Sequence, residues 1–159
     1  MGLPQESRQS YKALVDSGNQ RYYAFPSGAV GVAVVNATTG AWAWSTVDFT
    51  IIAAGAVAGY TDPSWLCGIV VLQSTWSAAT IYGDIAIGYG AAAAETWVAE
   101  FPLLAGVPTA VGLATSGPIY LPHPIKIVGV PRIGARIRAS TSAATGCTIK
   151  VIMASGVGS

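Results

Sequence analysis

Charged side chains are scarce in this sequence. Only 9% of its 159 residues are Asp, Glu, Lys or Arg, and 52% are hydrophobic, whereas an ordinary soluble domain carries about 25% charged residues. A free monomer normally stays dispersed because its net charge is well away from zero, and this chain has a formal net charge of +1. The scarcity argues against a freely diffusing monomer and predicts a subunit whose surface is largely covered by other molecules.

The side chains that usually carry catalysis are also few. The chain has one histidine, two cysteines and seven acidic residues. His123 lies between Pro122 and Pro124, which favour extended backbone, so we expect it on an edge or connecting segment. Glu95 and Glu100 should face opposite sides of a predicted strand, which argues against a carboxylate dyad. We therefore predict a protein that is not an enzyme and that uses no metal or cofactor.

Membrane spans, secretory signals and cysteine motifs are missing from the pattern as well. Residues 63–83 are long enough for a spanning helix, but their Pro, Gln, Ser and Thr content and their β-branched residues favour strands. The N-terminal residues MGLPQESRQSYK are polar, so we expect no secretory signal and synthesis in the cytosol. Cys67 and Cys147 lie in apolar runs without CxxC spacing, which indicates buried free thiols. A disulfide between them requires that their strands be neighbours.

Short runs rich in Val, Ile, Thr, Trp and Tyr recur between Gly, Pro, Ser and Asn residues, which is typical of an all-β protein. About eight strands are predicted, and this number suggests two packed sheets. The predicted strands are Ala29–Val35, Trp42–Ile52, Trp65–Leu72, Ala79–Ile87, Thr96–Phe101, Ile119–Leu121 continuing through Ile125–Val128, Ile133–Ala139 and Thr148–Met153.

The first residues of the chain differ from this pattern, because Tyr11 and Leu14 fall at helical spacing in a polar segment. Polar arms commonly become ordered against a partner. We therefore predict that Arg8, Tyr11, Lys12 and Leu14 contact a larger assembly, with a merely frayed terminus as the alternative. The predicted segments are an N-terminal arm over 1–22, a β-sandwich domain over 23–155 and a flexible tail over 156–159.

The segment RIGARIRAS alternates strictly between apolar residues and others. The apolar side consists of Ile133, Ala135, Ile137 and Ala139, and the other side carries Arg132, Arg136 and Arg138. The arginine side suits a contact with nucleic acid, with protein or with solvent alone. The net charge is near zero, and no aromatic residue interleaves the arginines as single-strand binders usually require. We therefore favour a contact between subunits over one with nucleic acid.

Charges of opposite sign are separated along the chain. Between residues 22 and 125 every charged residue is acidic, and after Glu100 every charged residue is basic. Complementary patches of this kind suit head-to-tail packing of subunits around a ring. The alternative is that the two groups lie on different solvated strands.

Five tryptophans stand out in a chain with so few polar groups. Trp42 and Trp44 share one face of a predicted strand. In a carbohydrate-binding module such a pair makes a stacking platform. We favour the other interpretation, in which the tryptophans pack in the core or between subunits.

Two segments, YGDIAIGYGAAAAETWVAEFPLLAG and IYLPHPIKIVGVPRIGARIRASTSAATGCTIKVIMA, carry a resemblance to a known family. Together they resemble a pattern in virion structural proteins of tailed bacteriophages, in which an Asp-Ile-x-Ile-Gly strand leads to a loop of small residues. Asp84 to Gly88 and Leu121 to Ser142 carry the match, and residues 130–133 depart from the Pro-Ala-Gly turn of that pattern. The resemblance implies a β-sandwich, often a jelly roll, that decorates or cements a capsid or forms part of a tail.

The sequence thus leads to one main expectation, a jelly-roll-like β-sandwich that decorates the exterior of a phage capsid. We expect a homotrimer that bridges major capsid proteins, with the arginine strand between subunits and the N-terminal arm on the capsid. A tail or fibre component is the alternative within the same class. A carbohydrate-binding sandwich on a host-recognition apparatus is the alternative from another class.

Overall fold

The computed structural model describes residues 20–28, 31–36, 41–46, 48–75, 82–103, 116–140 and 145–156. The predicted contact residues of the arm, Arg8, Tyr11, Lys12 and Leu14, lie outside these ranges, as do residues 157–159 of the predicted tail. Every regular secondary-structure element in the described ranges is a strand, so the predicted all-β class is confirmed.

The described residues form nine strands. They are β1 (Gln20–Phe25), β2 (Val32–Asn36), β3 (Phe49–Ile52), β4 (Ser64–Thr75), β5 (Gly83–Tyr89), β6 (Thr96–Leu103), β7 (Ser116–Ile127), β8 (Ile133–Ala139) and β9 (Thr145–Gly156).

These strands make two antiparallel sheets. The five-stranded sheet has the order β1-β9-β4-β7, with β2 also paired to β9, and the four-stranded sheet has the order β3-β8-β5-β6. The pairs β1 with β9, β3 with β8, β4 with β7 and β5 with β6 are nested, as in one long antiparallel ribbon that is rolled up. This is the connectivity of a jelly roll, so the predicted jelly-roll-like sandwich is confirmed.

Strands β1 and β2 occupy successive parts of the same edge of β9. β1 pairs with residues 151–156 and β2 with residues 145–149, so the described residues 26–28 and Gly31 lie outside both ladders. Lys150, which falls between the two ladders on β9, donates a hydrogen bond from Nζ to the carbonyl oxygen of Gly28. The two short strands fill one strand position, which explains why nine strands fit an arrangement predicted with about eight.

Two strands differ from the prediction. β1 was not predicted, and it begins at Gln20, inside the segment 1–22 that we expected to form an arm. The predicted strand Trp42–Ile52 is wrong over most of its length, because only its last four residues, Phe49–Ile52, form a strand. Trp42 has a φ of 59°, in the left-handed region, and such a residue cannot continue a strand.

The core lies between the two sheets and is lined by alternate residues of each strand. Ile133, Ala135 and Ile137 of β8 are fully buried, as are Ile149 and Val151 of β9, so the predicted inward faces of both strands are confirmed. Burying one such side chain contributes roughly 1.5–3 kcal/mol. The sandwich therefore depends on these inward faces, and the outward faces are free to carry other residue types.

Both cysteines are buried and free. Cys67 of β4 packs with Trp65, Ile152 and Ala154 in a second small cluster, whereas Cys147 of β9 belongs to the main core. Strands β4 and β9 are neighbours, but the register places Ser74 opposite Cys147. The alternative of a disulfide is therefore wrong, and burial raises the pKa of the Cys147 thiol to about 12.

Candidate interaction surface

The four-stranded sheet turns one face toward the core and the other away from it. Arg136 and Arg138 lie on the outward face of β8, because their neighbours in the strand are buried in the core. The register places Arg136 beside Ala86 of β5 and Arg138 beside Asp84. Ala86 has a short side chain, so the middle of this face is a shallow floor on which longer side chains can lie.

A β-bulge brings Trp97 of β6 to the same face. Ile87 pairs with Ala99, but the next residue of β5, Gly88, pairs with Trp97, so Val98 is the extra residue. Val98 packs against the core, which leaves Trp97 on the outward side. A methyl group at Gly88 would lie 2.9 Å from the Trp97 ring, so the indole rests directly on this glycine.

The segment 41–46 brings two more tryptophans to this face. It runs beside β8 and is held there by a hydrogen bond of 2.6 Å from Trp42 N to Ala139 O and one of 2.8 Å from Ser45 N to Ile137 O. The Ser45 hydroxyl accepts a further bond from Ile137 N at 3.3 Å. Irregular backbone fixed in this way places Trp42 and Trp44 above the end of the sheet.

These three tryptophans alternate with the arginines. The Arg136 guanidinium carbon lies 4.1 Å from the ring centre of Trp97 and 4.5 Å from that of Trp44. The Arg138 guanidinium carbon lies 4.5 Å from the Trp44 ring centre and 5.9 Å from that of Trp42. Each cation–π contact contributes about 0.5–1 kcal/mol at an exposed site and about 2 kcal/mol when desolvated. We call the five residues Trp97, Arg136, Trp44, Arg138 and Trp42 the Trp–Arg ladder.

Arg138 is fixed by acids as well as by rings. Its Nε donates to Asp84 Oδ2 at 2.8 Å, and its terminal nitrogen lies 3.4 Å from Glu100 Oε2. Asp84 is the cross-strand partner of Arg138 on β5. The donors of this guanidinium are therefore largely used inside the chain.

Arg132, just before β8, is held in the same way. It forms a salt bridge with Glu95, whose side chain is only 1% exposed. It also donates to Thr50 Oγ1 at 2.8 Å and to the carbonyl oxygen of Asp48 at 3.2 Å. Arg132 thus ties the start of β8 to β3 and to the residue that precedes β6.

Some of the charges that are separated along the sequence meet in the structure. Arg132 and Arg138 come from the basic part of the chain, and Asp84, Glu95 and Glu100 come from the acidic part. These five residues pair within one molecule, so they do not themselves form complementary patches for head-to-tail packing. Charges that are far apart in the sequence come together because the sheet pairs β8 with β5, and β5 with β6.

Arg136 differs from the other two arginines. It makes no hydrogen bond or ion pair with a residue in the described ranges, and its Nε is buried without a partner there. Desolvation lowers the pKa of Arg136, while the charges of Asp48 and Glu100 act in the opposite direction. An arginine remains cationic despite such a shift. The ladder therefore contains one guanidinium whose position is fixed by two indole rings and whose donors are not used by described residues.

The rim of this surface is aromatic and exposed. The side chain of Trp42 is 50% exposed and that of Tyr82 is 53% exposed. Ser140 holds Tyr82 in place, because Tyr82 N donates to Ser140 Oγ at 3.0 Å and Ser140 N donates to Tyr82 O at 2.8 Å. Ser140 follows Ala139, whose carbonyl oxygen accepts from Trp42 N. Trp, Tyr and Arg are the residues enriched at the energetic centres of protein interfaces.

The sequence predictions for this site were partly right. Arg132, Arg136 and Arg138 lie on one outward face, as predicted. The statement that no aromatic residue interleaves them is wrong, since Trp44 and Trp97 contact Arg136 from other segments. Trp42 and Trp44 do not share a strand face, because the segment 41–46 is not a strand.

The described ranges contain neither a candidate metal site nor a candidate membrane-spanning helix. No group of three or more His, Cys, Asp or Glu side chains is arranged there to hold a metal ion. Helices long and apolar enough to cross a bilayer are likewise not found among those residues.

The chain has little similarity to characterised proteins. No family model and no curated protein matches its sequence. Among solved structures it is similar to that of the infectious bursal disease virus Gx strain, at 15% identity and a TM-score of 0.41, over 87% of this chain and 33% of that chain. It is similar to the crystal structure of the VP2 subviral particle of the same virus at 14% identity and a TM-score of 0.42, again over 87% and 33%. The chain spans about a third of the length of these proteins, and similarity at this level assigns neither a family nor a function.

Proposed function

We propose that this chain is a structural virion protein that decorates a tailed-phage capsid as a homotrimer and bridges the major capsid proteins. Its role is mechanical rather than catalytic, and it acts on the exterior of the virion after synthesis in the host cytoplasm. The resemblance of two segments to phage virion proteins and the jelly-roll connectivity both suit this role.

The observation that carries the proposal is the Trp–Arg ladder with its exposed rim. Trp42 and Tyr82 present large amphipathic rings to the outside, and Arg136 has donors that no described residue uses. Stacking already orders the side chains of the ladder. Docking of a partner on this surface therefore costs little further side-chain entropy of this chain. The cation–π contacts stabilise the isolated molecule too, but the half-exposed rings of Trp42 and Tyr82 gain burial only from a contact with a partner.

A protein contact fits this surface better than nucleic acid. Asp84, Glu95 and Glu100 lie among the arginines, so the surface is close to neutral overall. Phosphate binding depends on an excess of positive charge. Interfaces between proteins combine such neutral, internally paired charges with aromatic anchors.

The test measures the mass of the full chain in solution by light scattering after size-exclusion chromatography, over a series of concentrations. We expect three times the mass of the chain, and a smaller mass for Trp42→Ala and Tyr82→Ala. Tyr120→Ala is the matched control, since Tyr120 is at least as exposed, at 60%, but lies on edge strand β7 of the other sheet. A wild-type chain that stays monomeric at high concentration would contradict the proposal.

Capsid binding needs a second measurement. Undecorated particles of the parent phage are mixed with the purified chain and pelleted by ultracentrifugation. We expect the chain to pellet with the particles at a fixed ratio to the major capsid protein. A chain that stays in the supernatant at saturating concentration contradicts decoration.

A carbohydrate-binding role has one observation in its favour, the half-exposed ring of Trp42. The neighbouring ring of Trp44 is already covered by two guanidinium groups, each 4.5 Å from its centre. This leaves no two-ring platform of the kind predicted from the sequence. A glycan array separates the two functions, and we expect no saccharide to bind.

A further inference from the structure

The outward face of the five-stranded sheet carries an apolar cluster of its own. It consists of Trp65 and Cys67 of β4 with Ile152 and Ala154 of β9, and we call these four residues the outer cluster. Neighbouring residues of both strands line the main core, so the alternation of a strand places the outer cluster on the opposite side of the sheet. None of the four residues is more than 6% exposed.

Burial on an outward face requires a layer above it. A sheet face without such a layer leaves its side chains in solvent, as on β1, where Tyr22 pairs with Ala154 and is 57% exposed. Of the partly buried apolar side chains in the described ranges, Val70 alone packs against the outer cluster, and it belongs to the same sheet. The described apolar residues therefore supply no layer above Trp65.

The outer cluster lies at the end of the sheet where β1 begins. Trp65 pairs with Ala154, and Gln20 pairs with Gly156, two residues further along β9. This separation is about 7 Å along the strand. Residues 1–19, which lie outside the described ranges, therefore join the sheet beside the outer cluster. Residues 157–159 adjoin the same end, but their sequence VGS offers a single apolar side chain.

Other segments outside the described ranges join the strands at the opposite end of this sheet. Those of four residues or more are 37–40, 76–81, 104–115 and 141–144. By register the nearest to the outer cluster is 104–115, which precedes Ser116, and Ser116 pairs with Val71. Val71 is about 20 Å from Trp65 along β4. Position along the sheet thus favours residues 1–19 as the source of the layer.

The sequence of residues 1–19 suits this role. Tyr11, Leu14 and Val15 are spaced by three and four residues, which places them on one side of a helix. Residues 16–19, with the sequence DSGN, are of the types that form turns. A turn immediately before β1 sends the preceding residues back over the sheet rather than away from it.

We infer that Tyr11, Leu14 and Val15 pack on the outer cluster and cover Trp65 as a third layer of the sandwich. The inference goes beyond the proposed function and does not rest on it, because the layer forms within one chain. It also divides the residues predicted to contact an assembly. Tyr11 and Leu14 are used inside the chain, whereas Lys12 is not part of the apolar stripe.

The two free cysteines allow a direct test in the full chain, because Cys67 belongs to the outer cluster and Cys147 to the main core. The rate at which N-ethylmaleimide labels each thiol is followed by peptide mass spectrometry. We expect Leu14→Asp combined with Val15→Asp to raise the labelling rate of Cys67 at least tenfold and to leave that of Cys147 unchanged.

The matched control is Gln9→Asp combined with Ala13→Asp. It adds the same two charges to the same segment, but on the opposite side of the predicted helix. We expect this variant to label at the wild-type rate. An equal rise in Cys67 labelling in the control, or no rise in the variant at positions 14 and 15, would overturn the inference.

Faster labelling of both thiols would mean that the variant at positions 14 and 15 has unfolded. Leu14→Ala combined with Val15→Ala then replaces it, and we expect this milder change to raise the labelling rate of Cys67 alone, at least threefold. The absence of a selective rise in this variant likewise overturns the inference.

Labelling of the wild-type chain over a series of concentrations identifies which copy supplies the layer. A segment of the same chain protects Cys67 equally at every concentration. Protection that is lost on dilution would assign the layer to a neighbouring copy and overturn the inference for a single chain. The mass of the chain in solution tests the proposed function separately, so the two can fail independently.

Discussion

The two faces of β8 are built from the same seven residues for different purposes. Inward, Ile133, Ala135 and Ile137 are fully buried between the sheets. Outward, Arg136 and Arg138 stack with tryptophans that arrive from other segments. One strand thus holds the sandwich together on one side and prepares a contact surface on the other.

This difference separates stability from association. The inward face depends on apolar burial, which any close-packed aliphatic residue of the right size supplies. The outward face depends on pairing of specific groups, because a guanidinium between indoles needs both its planar shape and its charge. Substitutions on the two faces should therefore affect different measurements.

The largest effect is expected from a charge on the inward face. Ile137→Asp buries a carboxylate at a position that is 0% exposed, which should cost more than about 4 kcal/mol and leave no folded protein. Circular dichroism during thermal unfolding measures this loss. Ile137→Val is the control, with an expected cost of about 0.5–1.5 kcal/mol, and a folded Ile137→Asp chain would show that this face is not part of the core.

The next-largest effect is expected when a buried acid that pairs with an arginine is removed, and an exposed acid serves as the comparison. Glu95→Ala removes the buried partner of Arg132 and should lower the free energy of unfolding by about 3 kcal/mol. Glu100→Ala removes an acid that is 54% exposed, and should cost less than about 1 kcal/mol. Urea unfolding of both variants gives the comparison. Equal losses would contradict the structural role of the Arg132–Glu95 pair.

The inward face was predictable from the sequence and most of the outward face was not. Period-2 alternation in RIGARIRAS identifies the buried isoleucines because it is a local signal. The position of Trp97 depends on a bulge at Val98, and a single inserted residue leaves no mark in the composition. The same bulge precedes Glu100 and follows Glu95, so the argument that these acids face opposite sides of a regular strand is wrong, and both reach arginines of the outward face.

The tryptophans of segment 41–46 and strand β1 were missed for other reasons. Trp42 and Trp44 are held by backbone hydrogen bonds to a strand almost a hundred residues later, and such contacts have no local signature. β1, with the sequence QRYYAF, is polar at its start and ends before Pro26, so its sequence resembles the end of an arm. The jelly roll itself was expected from a resemblance, since strand order cannot be derived from alternation.

A pH titration probes the core-facing side of β9 without a mutation. Burial raises the pKa of Cys147 from 9.0 to about 12, so the folded state keeps the proton after the unfolded state has lost it. The stability from this group is complete below pH 9 and is lost progressively as the pH rises toward 12. At pH 10 the loss should be about 1–2 kcal/mol. Urea unfolding at pH 8 and pH 10 measures it, and Cys147→Ala should show a smaller drop between the two pH values; an equal drop would assign the effect to other groups.

A small effect on stability is expected at Arg136, where the effect on association should be greatest. Arg136→Ala removes two cation–π contacts but also a buried Nε without a described partner, so the net cost should be only about 1 kcal/mol. If a neighbouring subunit uses the donors of Arg136 that no described residue uses, the same change should raise the concentration for half-maximal association at least tenfold. Arg136→Lys separates charge from shape, because lysine keeps the charge but lacks the planar fork. Association that survives in Arg136→Ala would place the subunit contact elsewhere on the molecule and reduce the ladder to a structural feature of the sheet.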